Sequence, residues 1–119
     1  MEKKCIITEE KERIVRDTLG RIADKWTLVI IDELDAGTLR FSELQRRIGK
    51  VSQKMLTQTL REMETDGLVQ RIVYAEVPPR VEYKLTKMGS TLGEAVCSIW
   101  KWVEKNHKEI ERCRLKNQK

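Results

Sequence analysis

The spacing of apolar residues changes from helical to a period of two only once along this chain, just after Asp66-Gly67. Two runs rich in β-branched and aromatic residues follow, over 69–77 and 80–85, and they meet at a tip that contains two prolines. Runs of this kind predict a β-hairpin, and prolines at the tip prevent further pairing there. The chain is therefore predicted to be mainly α-helical with one small hairpin (α+β).

The elements around the hairpin are predicted from helical spacing, capping residues and helix-ending glycines. In chain order they are a helix over 9–21, a buried helix from the cap Asp24 to Gly37, an extended piece over 38–40, a helix over 41–48, a helix that begins at the cap Ser52, the hairpin, and a long helix over 87–115. This is the order of a winged helix-turn-helix domain with an extra helix at each end. A length of 119 residues suits a single domain spanning 1–119.

The helix that begins at Ser52 has an unusual polar face. Between Gln45 and Arg61 the chain has five basic residues and no acidic one. A helix that enters the major groove of DNA needs donors to phosphates and base edges, and carboxylates would be repelled there. The alternative is an ordinary solvated basic face. Including the hairpin, the candidate DNA-binding residues are Ser52, Gln53, Lys54, Thr57, Gln58, Arg61, Arg46, Arg47, Arg71 and Arg80.

Two of these candidates lie in the hairpin. Arg80 at the tip is predicted to enter a minor groove or to follow a phosphate strand, and Arg71 lies near the hairpin base. The alternative for Arg71 is a cross-strand ion pair with Glu82 or Glu76.

The two terminal helices, over 9–21 and 87–115, are predicted to form a homodimer. The last helix has an apolar stripe with heptad-like spacing, to which the first helix adds apolar residues. The predicted dimer residues are Ile14, Val15, Ile22, Leu92, Val96, Ile99, Val103 and Ile110. The alternative is that the stripe packs only on its own subunit. A dimer would present two recognition helices about 34 Å apart to a palindromic operator in double-stranded DNA.

Composition excludes several other classes of protein. The net charge is +5, which allows a polyanionic partner. No apolar run is long enough to span a membrane, and the start of the chain has no signal-peptide core, so the cytoplasm is expected. The only histidine, His107, lies among charged residues, and no phosphate loop is present, so neither an enzyme nor a cofactor is expected. The rival function is a winged-helix module that binds protein rather than DNA.

The three cysteines form neither a disulfide framework nor a metal site. Cys5 follows Lys3 and Lys4 and is predicted to be an exposed, reactive thiol and thus the candidate redox residue. Cys97, beside Val96 in the apolar stripe, is expected to be buried.

The aromatic residues offer one further candidate site. Trp26, Trp100 and Trp102 are expected in the core, with a small-ligand site beside them as the alternative.

From Ala23 to Trp102 the chain resembles the HxlR-type winged-helix regulators, which are related to the MarR type. The resemblance rests on four segments: Arg40-Phe41 with Glu43-Leu44, Ser52-Gln53-Lys54-Met55-Leu56, Asp66-Gly67-Leu68, and Val77-Pro78-Pro79-Arg80-Val81-Glu82-Tyr83 with Leu85-Thr86. It implies a homodimer through the terminal helices, residues 52–63 in the major groove, and regulation of nearby genes, often in detoxification or redox responses. The family's N-terminal cysteine usually precedes a proline, whereas Cys5 precedes Ile6.

Overall fold

The computed structural model describes residues 9–118, and within them the predicted order of elements is confirmed. The chain has the winged helix-turn-helix fold with one additional helix at each end. The elements are α1 (Glu9–Ile22), α2 (Lys25–Leu34), β1 (Leu39–Arg40), α3 (Phe41–Ile48), α4 (Gln53–Thr65), β2 (Val69–Tyr74), β3 (Arg80–Leu85) and α5 (Lys87–Lys116).

Short polar side chains begin three of the helices. Asp24 accepts a hydrogen bond from the backbone N–H of Trp26 at 2.9 Å. Ser52 and Thr86 each accept one from the N–H three residues later, at 3.0 Å. These bonds satisfy N–H groups that the first turn of a helix leaves without partners, so the predicted starts of α2, α4 and α5 are confirmed.

The three strands form one antiparallel sheet in the order β1-β3-β2. The hairpin register pairs Val69 with Leu85, and Leu39 of β1 lies opposite Tyr83. The extended piece predicted over 38–40 therefore becomes a third strand on the free edge of β3. Val69, Leu39 and Tyr83 are buried, which fixes the sheet against the helices.

The core is built on α2. Ile30, Ile31 and Leu34 of this helix are buried, as predicted for a central helix. Leu44 of α3 packs in the same cluster. The inner stripe of α4 also belongs to it and consists of Leu56, Leu60 and Met63. Burial of each such side chain contributes about 1.5–3 kcal/mol. The helix-turn-helix pair is thus held rigidly by its apolar side, which leaves its polar side facing solvent.

Helix α5 has a docked first part and a projecting second part. A Cβ atom at Gly89 would lie 2.1 Å from the carbonyl oxygen of Leu68, so only glycine permits this close approach. Val96 is 3% exposed and belongs to the core. Beyond it, Ile99 and Trp102 are more than half exposed. None of the helices within residues 9–118 is long and apolar enough to cross a membrane.

This division corrects three sequence-based expectations. Val96 packs in the core of its own subunit and is not free for a dimer surface, whereas Ile22 and Leu92 are half-buried and remain predicted dimer residues. Trp100 and Trp102 are exposed rather than in the core, because α5 extends past the domain. Cys97 is exposed rather than buried, since one residue along a helix turns a side chain about 100° away from Val96.

Candidate nucleic-acid interface

The outer face of α4 lines an open depression with a volume of about 740 Å³. Its lining residues are Gln53, Lys54, Thr57, Gln58, Arg61 and Glu62. Thr57 is half-buried and the others are exposed. Five predicted residues are therefore brought together on one surface. The carboxylate of Glu62 directly follows Arg61 towards the C-terminal end of the same face, so the face has no acidic residue from Gln53 to Arg61.

The backbone around α4 makes this face rigid. Gly49 ends α3 with a φ of 83°, a conformation that glycine adopts without strain, and Val51 in the following turn is buried. The hydroxyl of the buried Thr59 donates to the carbonyl oxygen of Met55 at 2.8 Å. The first turn of α4 contains no acidic side chain, so the partial positive charge of the helix N-terminus is not neutralised locally.

Arg46 and Arg47 lie in the last turn of α3 and are both exposed. The Nη1 atom of Arg47 is 3.8 Å from Oε1 of Glu33 in α2, a long ion pair across the surface. An exposed pair at this distance contributes at most a few tenths of a kcal/mol, so Arg47 can exchange this partner for a phosphate.

Arg71 lies beside α4. Together with Thr57, Arg61, Glu64 and Tyr83 it lines a depression of about 270 Å³ between α4 and the sheet. The alternative for Arg71, an ion pair with Glu82 or Glu76, does not occur, because both carboxylates are near Arg80 instead. Arg71 therefore extends the basic surface of α4 onto the sheet.

Arg80 is held by the hairpin itself. Its guanidinium lies 3.9 Å from the centre of the Tyr74 ring, 3.3 Å from Glu76 and 3.8 Å from Glu82. Its Nε atom is buried and has no hydrogen-bond partner. Tyr74 belongs to the same cluster, because its phenol forms a hydrogen bond with Glu82. This bond raises the pKa of Tyr74 above its ordinary value. Arg80 is thus engaged within the wing, and its contact with a minor groove or a phosphate strand stays a prediction.

One contact near the interface was not foreseen. Nε of Arg21 in α1 donates to Oδ2 of Asp66 at 2.9 Å, and this hydrogen bond raises the pKa of Arg21. Asp66 is the residue at which α4 ends, so the bond ties the first helix to the recognition helix. The two residues are 45 positions apart, and no local pattern in the sequence signals the pair.

The cysteines and metal-binding residue types do not form a site in the described range. Within residues 9–118, no group of three or more His, Cys, Asp or Glu side chains is arranged to hold a metal ion. Cys97 and Cys113 are both exposed free thiols on α5. Cys5, the candidate redox residue, lies outside the described residues.

Comparison with known proteins gives consistent matches. The model of the HxlR-like helix-turn-helix family matches residues 21–111. The chain is 44% identical over 95 residues to the uncharacterized HTH-type transcriptional regulator YtfH of Escherichia coli K12, covering 80% of this chain and 75% of that protein.

Two solved structures are also similar. That of the putative transcriptional regulator ytfH from Salmonella typhimurium has a TM-score of 0.78 at 39% identity and covers 84% of this chain and 89% of its own. The redox regulator HypR in its reduced form has a TM-score of 0.77 at 42% identity, with coverages of 82% and 97%.

Proposed function

Since the chain belongs to the HxlR-like helix-turn-helix family of transcriptional regulators, we propose that it binds double-stranded DNA sequence-specifically as a homodimer. The observation that carries the proposal is the exposed, basic and acid-free first part of the α4 face. Arg46 and Arg71 lie on the two elements that flank it, and its inner side is fixed in the core. A protein that regulates genes must reach chromosomal DNA, so we include a cytoplasmic location in the proposal.

The residues of the face divide into two roles. Lys54 and Arg61 carry charge and contact phosphates, which position the protein without reading sequence. Thr57 and Gln58 lie between them and are neutral donors and acceptors suited to base edges in the major groove. Ser52 is already used as the cap of α4, so its side chain holds the start of the helix while its neighbours contact the phosphates.

The dimer rests on the apolar residues that the subunit leaves uncovered. Ile14 in α1 is 66% exposed and Ile99 in α5 is 53% exposed, and Val103 is also exposed. Val15 and Ile110 are half-buried on the same two helices. Contiguous exposed apolar patches on small proteins mark interaction surfaces. The proposed interface is therefore the projecting part of α5 together with α1.

The test of DNA binding is a gel shift with bulk genomic DNA fragments at two salt concentrations. Binding should weaken as salt rises, with log K falling by about 0.9 per phosphate contact for each tenfold increase in salt. Lys54→Ala should weaken binding to every fragment, whereas Gln58→Ala should reduce the preference for the best fragment by about 1–3 kcal/mol. Lys116→Ala at the far end of α5 is the charge-matched control and should behave as wild type.

The rival function is protein recognition by the same winged-helix fold. A protein-binding module has no need of an acid-free face, so the charge distribution of α4 favours DNA. Absence of a gel shift by wild type at both salt concentrations would support the rival, and binding that does not respond to salt would contradict the phosphate contacts. The proposal includes no enzymatic activity, and the similar proteins are named as regulators rather than enzymes.

A redox response is the second candidate, favoured by the similarity to a redox regulator at 42% identity. Cys5 remains the proposed sensor, since it follows two lysines that favour the thiolate. Mild diamide treatment should change the DNA affinity of wild type and leave Cys5→Ser unchanged. Equal affinities for both treated proteins, without a linked dimer on a non-reducing gel, would exclude this role.

A further inference from the structure

A small cavity lies where α1, the turn after α4 and the first turns of α5 meet. Its volume is about 300 Å³, at the lower end of the range for small-molecule sites. Its walls are formed by Thr18 and Ile22 of α1, Asp66 and Leu68 of the turn, and Thr91 and Leu92 of α5. Met88 completes the lining, and the three aliphatic residues give the cavity a mainly apolar floor.

The polar groups of this cavity define the chemistry of its ligand. Among residues 9–118, Asp66 is the only charged residue in the lining, and Arg21 neutralises it through the bond at 2.9 Å. The hydroxyl of Thr91 donates to the carbonyl oxygen of Met88, so its oxygen is left as an acceptor. An anion would meet a carboxylate and no lining cation, whereas a neutral donor would meet oxygen acceptors.

We propose that this cavity binds a small, neutral, mainly apolar molecule that carries one hydrogen-bond donor. A whole helix is too wide for a cavity of this volume, because with its side chains it is about 10 Å across. A side chain from a second copy of the chain is the competing occupant, and the experiment below separates the two.

The position of the cavity links a bound molecule to the recognition helix. Asp66 ends α4, and the N–H of Leu68 donates to the carbonyl oxygen of Met63 in α4 at 2.8 Å. The hydroxyl of Thr86, at the start of α5, donates to Gly67 at 2.6 Å. A molecule wedged among these groups contacts α1, α5 and the end of α4 together. It shifts the orientation of α4 to the extent that it binds one arrangement better than another.

The binding step is tested without DNA, with 2-naphthol as a neutral probe and 2-naphthoate as the anion of the same size. Wild type should bind 2-naphthol saturably at one site per chain in a fluorescence titration, and 2-naphthoate at least about tenfold more weakly. Thr91→Phe fills the cavity from an exposed helix position and should weaken 2-naphthol by about tenfold or more. Ser90→Phe, exposed on the same turn and outside the cavity, should match wild type.

The proposal is overturned if wild type shows no saturable binding of 2-naphthol, or if Thr91→Phe binds it as well as wild type does. The first of these results is also the one expected if a second copy of the chain fills the cavity. Matching thermal melts of the two phenylalanine variants show that both are folded. The regulatory part rests on the proposed function, and saturating 2-naphthol should change the DNA affinity of wild type but not that of Thr91→Phe. Failure of DNA binding itself would leave the 2-naphthol titration unchanged, so the two failures are distinguishable.

Discussion

Two arginines of the hairpin, Arg71 and Arg80, show how neighbouring residues decide the role of a basic side chain. Both lie in strands of the wing, and the sequence alone makes both candidates for DNA contact, with a cross-strand ion pair as the equal alternative for Arg71. Arg80 stacks on Tyr74 between two carboxylates, whereas Arg71 opens onto the surface that contains Arg61. Charge and chain position could be predicted from the sequence. The partner of each guanidinium could not, because it depends on the strand register and on side chains across the hairpin.

Substitution of these two arginines should have separate consequences. Arg71→Ala should reduce the steepness of log K against log salt concentration by the amount that about one phosphate contact contributes, since it removes a cation beside α4. Arg80→Ala should change this slope little and should instead destabilise the wing, because Tyr74, Glu76 and Glu82 lose their shared partner. The measurements are a salt titration of DNA affinity and a urea unfolding curve. A larger loss of salt slope for Arg80→Ala than for Arg71→Ala would assign the DNA contact to Arg80.

At the scale of the elements, local signals were sufficient to predict the helices and the hairpin. Capping residues and glycines lie where α2, α3, α4 and α5 begin or end. Capping interactions involve residues only a few positions apart, so they can be recognised in the sequence. The third strand, β1, was predicted only as an extended piece because a strand of two residues has no period of its own. The packing of α5 was predicted in part. Its apolar stripe is continuous in sequence, but the domain ends near Val96, and that limit is set by the other helices.

Two helical glycines provide a matched test of this packing. Gly89→Ala should destabilise the protein by about 1–3 kcal/mol, because the new Cβ would lie 2.1 Å from the Leu68 carbonyl oxygen. Gly20→Ala in α1 should stabilise it by about 0.5–1 kcal/mol, because no atom lies within 4 Å of the new Cβ and alanine favours helix. Chemical unfolding of both variants measures the two shifts. Equal effects would mean that α5 is not docked on the turn at Leu68.

The whole molecule is extended for its length. Its radius of gyration is 17.4 Å, against about 13.5 Å expected for a compact domain of this size. Helix α5 is 30 residues long, about 45 Å, and its second half leaves apolar side chains in solvent. A single chain gains nothing from this arrangement, whereas a pair of chains can bury it. The heptad-like spacing predicts the dimer helices, and the second half of α5 is the part whose apolar residues stay exposed for the proposed partner.

The dimer is tested by light scattering at micromolar concentration. Wild type should have a mass of about twice the 14.0 kDa of the chain. Ile99→Glu should shift the mass towards the monomer, since it places a charge in the proposed apolar interface. Glu94→Gln, an exposed position on the same helix, is the control and should remain dimeric. A monomeric wild type, with or without DNA, would contradict the homodimer.

The most direct test of the proposed function is a dimethyl sulfate protection experiment on the genomic fragment that binds best. This reagent methylates N7 of guanine in the major groove and N3 of adenine in the minor groove. With one α4 helix per subunit in the major groove, guanine N7 should be protected in two clusters about one helical turn, or 10–10.5 base pairs, apart. Lys54→Ala should lose both clusters together, at protein concentrations where wild type protects them. Protection confined to adenine N3, or no protection at saturating protein, would show that α4 does not enter the major groove.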